Sequence, residues 1–309
     1  MKPDLRVNIA GVPFQNPVIA ASGTFGFGEA YGDFYDVSVL GGICTKGLTW
    51  EPREGNAGIR VAETPGGMLN SVGLQNPGLP YFLRELLPEM RKRGTNILCN
   101  VGGSAPEDYL RCVDALNSAD VDMVELNISC PNVRAGGMHF GLKAREAGLF
   151  VREVRRVCRK PLMVKLSPNA EDIVALAAAC EEAGADALSL INTLKAMSID
   201  IKARRPVFDN VFAGLSGPAV KPVALRMVWE VCRAVSIPVV GLGGIASASD
   251  AAEFLMAGAH AVQFGTAGFA RPPLGAELVS GLAQLMEEQG FASLEEMRGA
   301  ISRHAPATR

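Results

Sequence analysis

The sequence predicts a single-domain α/β protein: a parallel (β/α)8 barrel of the TIM type over residues 1–309, with an N-terminal β-hairpin and long loops at its C-terminal face. Three observations predict it. Short runs rich in Val, Ile and Leu recur at residues 17–23, 39–46, 96–103, 122–130, 161–167, 186–193, 238–244 and 260–266. They do not alternate strictly, as expected of strands buried on both faces. Longer amphipathic segments lie between most of them, at 80–93, 106–118, 144–158, 171–183, 220–235 and 247–257. Extra length gathers in three loops, 47–79, 131–143 and 194–219, each after a strand's C-terminal end, the face where barrel active sites lie. An open doubly wound sheet is the competing arrangement.

In chain order, residues 7–10 and 13–14, bridged by Gly11, read as a hairpin closing the barrel bottom. The first run ends Ala21-Ser22-Gly23 and the second Thr45-Lys46-Gly47. Gly94 stops the helix of residues 80–93. The third run carries Asn100 and then Gly102-Gly103. Pro106 opens the following helix, where its missing N–H costs nothing. The fourth run reads Glu125-Leu126-Asn127-Ile128-Ser129-Cys130 and turns at Pro131-Asn132. The fifth contains Lys165 and the sixth closes on Asn192-Thr193, with Gly184 ending the helix between them. The seventh ends Gly241-Leu242-Gly243-Gly244. Ser247 and Gly258 bracket the next helix, and the eighth run ends Gly265-Thr266.

Hydrophobic residues make up 48% of the chain and charged ones 20%, enough to bury a large core. A formal net charge of −2 with both signs dispersed argues against a nucleic-acid surface. The start lacks an apolar signal core, and no run of eighteen apolar residues marks a membrane span, so a cytoplasmic location is expected. The 7 cysteines never come closer than Cys99 and Cys112, so no metal or iron–sulfur spacing occurs and no metal is expected. Six of them read as small core residues. Cys130 differs, because a proline and a glycine-rich loop follow it.

If the barrel forms, two lysines, several amides and one thiol converge on its mouth. Glycines after strands seven and eight let backbone amides approach a phosphate closely, or simply permit tight turns. Lys46 and Lys165 lie in apolar strands, and a buried lysine needs an anion: a bound one, or a structural carboxylate. Two such lysines suit an electron-rich cofactor and a carboxylated substrate. Asn70, Asn100, Asn127, Asn132 and Asn192 offer donors and acceptors to a ring of alternating N–H and C=O groups. Cys130, with an ordinary pKa of about 8.5, is either a buried structural thiol or a base for a carbon-bound proton. His139 competes for that role from the glycine-rich segment 134–141, which has the composition of a lid.

Asn-Ile-Ser-Cys-Pro-Asn at 127–132, Thr-Lys-Gly at 45–47, Lys-Leu-Ser-Pro-Asn at 165–169, Ile-Asn-Thr at 191–193, Leu-Ser-Gly-Pro at 215–218 and Gly-Gly-Ile at 243–245 together resemble the dihydroorotate dehydrogenases, in order and over nearly the whole chain. The cysteine implies class 1, since class 2 members use serine and carry an N-terminal extension. The segment Asn70 to Gly78 is similar to the NAD-linked class 1B catalytic subunit; the fumarate-linked class 1A enzymes and related dihydropyrimidine dehydrogenases are the alternatives. The resemblance implies oxidation of (S)-dihydroorotate to orotate in pyrimidine biosynthesis, with Cys130 as base. It implies FMN held by Ala21, Ser22, Lys46, Gly47, Asn100, Asn127, Lys165, Ile191, Gly217, Gly243, Gly244, Gly265 and Thr266. Substrate contacts would come from Lys46, Asn70, Ser71, Val72, Gly73, Leu74, Asn127, Asn192 and Thr193. It further implies a homodimer within a heterotetramer, whose second chain carries FAD and a 2Fe-2S cluster. Residues 264–269, Phe-Gly-Thr-Ala-Gly-Phe, depart from the family's usual wording but keep Gly265 and Thr266.

Overall fold

Sixteen strands and a ring of helices are seen in the computed structural model, which describes residues 3–128 and 141–301. The strands, in chain order, begin with β1 (Val7–Ile9), β2 (Val12–Phe14), β3 (Val18–Ala20), β4 (Gly42–Cys44), β5 (Val61–Thr64), β6 (Gly67–Asn70), β7 (Asn96–Val101) and β8 (Met123–Asn127). They continue with β9 (Leu162–Lys165), β10 (Ala187–Leu190), β11 (Leu194–Met197), β12 (Ile199–Asp200), β13 (Arg205–Pro206), β14 (Phe212–Ser216), β15 (Val239–Leu242) and β16 (Ala261–Phe264). A closed barrel forms in the order β3, β4, β7, β8, β9, β10, β15 and β16, and every neighbouring pair is parallel. Each of the eight expected runs supplies one of these strands.

Strand periodicity divides the core in two. Along β8, Val124 and Leu126 face outward into the large cluster shared with the helices, while Met123 faces inward. The inward layer at the barrel bottom is apolar: Ile19, Cys44, Leu98, Met123, Met163, Ala187, Val240 and Ala261. The hairpin β1–β2 plugs it from below with Ile9, Val12 and Phe14. Its turn residues Ala10 and Gly11 take φ of 52° and 83°, the left-handed pair that matches the strand twist.

Helices Pro106–Leu116, Ala144–Val157, Ile173–Glu182, Lys221–Cys232 and Ala248–Met256 lie in the expected segments. Asp172 accepts from the N–H of Val174 and Ala175, and Ser247 from that of Asp250, so both helix starts are capped. Gly94, Gly184 and Gly258 take the left-handed geometry expected at helix ends. The segment near 80–93 is one helical rod with a wide turn, Phe82–Leu86, in its middle. Leu87 N–H reaches back to the carbonyl of Phe82, and Pro88, with no N–H, follows it.

Two features differ from the sequence reading. Helix Leu274–Gln289 follows β16 and packs on β3 and on the short turn Val37–Val39, in place of a helix between β3 and β4. Gly275 lets it sit close: a Cβ there would lie 2.5 Å from Tyr35 Oη and 2.8 Å from Leu40 and Phe264. The loops 47–79 and 194–219 are not structureless. They pair into a four-stranded antiparallel sheet, β11-β14-β6-β5, with a small core of Leu69, Phe208 and Ala213, beside the hairpin-like pair β12–β13.

Phe14 is fully buried under the barrel, so Phe14→Ala should lower stability by about 3–5 kcal/mol. Ile201, 83% exposed, should tolerate alanine within about 0.5 kcal/mol. Urea denaturation of both variants measures the difference; equal midpoints would show that the hairpin is not part of the barrel core.

Candidate active site

Above the apolar layer the barrel interior turns polar. Glu125, fully buried on β8, occupies its centre. Its Oε2 accepts from Cys44 Sγ at 3.0 Å and Asn100 Nδ2 at 2.5 Å; its Oε1 accepts from Ser189 Oγ and Gln263 Nε2, both at 2.8 Å. Lys165 Nζ lies 3.6 Å from Oε2. Burial alone would raise this carboxyl's pKa, but the Lys165 charge and the hydrogen bonds from Cys44, Gln263 and Asn100 outweigh it and hold the group below its ordinary value. The interior of the barrel therefore contains an ionised carboxylate with a full set of donors.

One layer higher the strand ends open into a cavity. Ala21 and Ser22 after β3, Lys46 and Gly47 after β4, Asn100, Asn127, Lys165, and Ile191 to Thr193 after β10 all line it. So do Gly243, Gly244, Gly265 and Thr266 at the ends of β15 and β16. The overlying sheet adds Asn70, Met68 and Leu215 to Gly217, and the adjoining loop adds Val72, Gly73 and Leu74. Thus every candidate site residue named from the sequence borders this cavity except four. Ser71 is buried behind the wall, its Oγ accepting from Asn56 and Asn210. Cys130 lies outside the described residues, as do Asn132 and His139.

The two lysines differ. Lys165 has a structural carboxylate, Glu125, as its anion. Lys46 has no acceptor partner among the described residues, and burial lowers its pKa. Asn192 Nδ2 donates to Asn127 Oδ1 at 3.4 Å, and Asn70 Nδ2 to Gly214 O at 3.3 Å, so the amides form a linked wall. At the opposite end glycine is obligatory. Gly243 and Gly244 have φ of 126° and 81°, and a Cβ on Gly244 would lie 2.7 Å from the backbone of Lys221. Thr266 Oγ1 donates to Ser216 Oγ at 2.8 Å, tying the sheet to the end of β16.

Two buried carbonyl oxygens at this site, Asn100 Oδ1 and Gln263 Oε1, have no partner among the described residues. The sequence reading missed Glu125, Gln263, Ser216 and Phe269. Strand parity is the signal for the first: Glu125 shares the inward face with Asn127, and Lys165 lies on the next strand. The other cysteines give no rival thiol. Burial raises all six described ones, Cys44, Cys99, Cys112, Cys158, Cys180 and Cys232.

Lys46 titrates below 10.5 in the folded chain, so between that lower value and 10.5 the unfolded chain binds the extra proton. Its cost to stability is greatest below the folded pKa and fades as pH rises toward 10.5. Lys46→Met should therefore raise the Tm of the ligand-free chain at pH 7, with the gain shrinking at alkaline pH. A lower Tm at pH 7 would mean that Lys46 has an anionic partner in the ligand-free chain.

Comparison with known proteins agrees with this arrangement. The family model described as dihydroorotate dehydrogenase matches residues 4–286. A protein of Petrotoga mobilis is 55% identical over 298 residues, covering 96% of this chain and 99% of its own length. Proteins of Pelobacter propionicus and Bacteroides thetaiotaomicron are each 51% identical, over 97% and 96% of the chain and 99% of their own lengths. All three are named dihydroorotate dehydrogenase B (NAD(+)), catalytic subunit. With its cavity at the C-terminal mouth of a parallel barrel and its match running through almost every element, the chain belongs to the dihydroorotate dehydrogenase family.

Proposed function

We propose that this chain oxidises (S)-dihydroorotate to orotate in pyrimidine biosynthesis, as the FMN-binding catalytic subunit of an NAD-linked enzyme. The observation that carries the reading is the composition of the cavity at the barrel mouth. A Lys46 uncompensated among the described residues, the linked amides of Asn127 and Asn192, and a glycine-built end surround it together.

The residues present fit FMN. Gly217, Gly243 and Gly244 all have positive φ, and with Gly265 they border the cavity as side-chain-free backbone that a phosphate can approach closely. Asn100 Oδ1 and Gln263 Oε1 are buried acceptors without a partner among the described residues, and a flavin pyrimidine edge brings one donor, its imide N–H. Ala21, Ser22, Lys46, Gly47, Asn127, Lys165, Ile191 and Thr266 complete the set that would hold the group. Bound FMN supplies a two-electron acceptor for the hydride that leaves C6 of the substrate.

The chain's own part is to hold the substrate and move a proton. Lys46 offers a cation to the substrate carboxylate, beside Asn70 and the residues 72–74. Asn127, Asn192 and Thr193 offer donors and acceptors to the ring amides. Ser71 supports this loop from behind. Cys130, three positions after Asn127 and outside the described residues, takes the C5 proton as thiolate.

The printed names of the relatives describe catalytic subunits, and we infer a second subunit for this chain too, bearing FAD and a 2Fe-2S cluster, around a homodimer of this one. Cysteines at least thirteen positions apart support a cluster housed elsewhere. All six described cysteines are free, which supports a reducing, cytoplasmic setting. Among the described residues no helix is long and apolar enough to cross a membrane.

The purified chain should carry flavin and bleach anaerobically with dihydroorotate but not with dihydrouracil, which lacks the carboxylate. Bleaching by both would remove Lys46 from substrate selection, and bleaching by neither would sink the activity. Cys130→Ser should retain dihydroorotate affinity while flavin reduction near neutral pH slows at least about 10²-fold. Stopped-flow reduction at undiminished speed would remove Cys130 from the base role.

A further inference from the structure

Glu125 touches neither the proposed substrate groups nor the cavity, yet its donors include two side chains that line the cavity. An ionised carboxylate can only accept hydrogen bonds. Asn100 Nδ2 and Gln263 Nε2 both donate to it, one to each oxygen, at 2.5 and 2.8 Å. An amide whose NH2 is held on one side turns its carbonyl to the other. Asn100 Oδ1 and Gln263 Oε1 are accordingly without a partner among the described residues, and both side chains line the cavity. Asn100 Oδ1 lies toward Gly47, where a Cβ would come within 2.9 Å of it, and Gly47 is itself a wall residue. Flipping either amide would set a carbonyl oxygen against the carboxylate at hydrogen-bond distance, acceptor against acceptor. Lys165 and Ser189 occupy further sides of the carboxylate, which restricts its own rotation.

We propose that Glu125 is a positioning residue for ligand recognition: by holding the amide nitrogens of Asn100 and Gln263, it sets the cavity floor as a pair of acceptors that selects a heterocycle edge bearing N–H. The inference rests on the FMN reading for its ligand, whose pyrimidine edge carries one imide N–H. A ring with only acceptors along that edge leaves both buried carbonyls unpaired and is rejected. Glutamine at position 125 would remove this selection, because its amide can donate to a flipped neighbour.

The test compares FMN with 3-methyl-FMN, in which a methyl replaces the imide N–H, by fluorescence titration of the full chain. The unaltered chain should favour FMN by about 30-fold or more. In Glu125→Gln that ratio should fall by about tenfold, whatever happens to absolute affinity. A purely structural role weakens both ligands equally, so an unchanged ratio overturns the proposal. If Glu125→Gln does not fold, Gln263→Leu keeps the Glu125–Lys165 pair and removes one acceptor; there too an unchanged ratio overturns it. Failure of the unaltered chain to bind FMN at all would sink the cofactor reading, and this inference with it.

Discussion

The structure turns on a carboxylate with no access to water. Removing Glu125 from solvent carries a penalty of several kcal/mol unless the barrel replaces its hydration. The replacement comes from five different strands: Cys44 on β4, Asn100 on β7, Lys165 on β9, Ser189 on β10 and Gln263 on β16. With Glu125 itself on β8, one cluster ties six of the eight barrel strands at a single level. Below it lies an apolar layer sealed by the hairpin; above it lies the cavity. The polar layer is thus where the stabilising part of the barrel gives way to the binding part. Apolar packing is indifferent to a small rotation of a strand, whereas a hydrogen-bonded carboxylate is not, so Glu125 also fixes how the strand ends are aimed.

The two lysines show what that cluster does to charge. Lys165 is compensated within the protein, and its field at the cavity is offset by the carboxylate 3.6 Å away. Lys46 has no such partner among the described residues, and burial disfavours its charged form. Positive charge available to a ligand is therefore concentrated at the end of β4. Together with the unpaired oxygens of Asn100 and Gln263, this leaves polar groups at the cavity that no described residue satisfies. Each such group costs about 1–3 kcal/mol while unpaired. A ligand that pairs them gains affinity and stabilises the fold by the same contacts.

Much of this was legible in the sequence. The eight apolar runs each became a barrel strand because strands buried on both faces need continuous apolar residues, and that pattern is local. The residues closing those runs fell around one cavity because parallel strands must all present their C-terminal ends at the same mouth. What could not be seen was non-local. β6 and β14 pair Asn70 with Gly214 across more than a hundred intervening residues, and their short sequences, broken by Gly67 and Gly214, carry no period that announces a sheet. Helix Leu274–Gln289 was hidden by Gly275 and Gly281, which lower helix propensity but permit close packing. Glu125 was in plain view, yet a charge inside an apolar strand has meaning only when its five partners, up to 138 positions away, are known.

The sheet over the mouth explains why two insertions as long as 47–79 and 194–219 persist together. In the register of β14 against β6, Gly214 faces Asn70 and Ser216 faces Met68. One end of the pair carries Asn70 toward the linked amides of Asn127 and Asn192. The other carries Ser216 and Gly217 toward Thr266, where the Thr266–Ser216 hydrogen bond closes it onto the barrel. Gly217 approaches so closely that a Cβ would lie 2.6 Å from Gly67, so the sheet cannot slide without losing that bond or clashing there. Neither insertion can form this wall alone, since β5–β6 comes from one and β11–β14 from the other. The distance between the glycine-built end of the cavity and its amide-rich end is accordingly set by strand register, which shifts only in whole residues. Flexible loops would set no such distance.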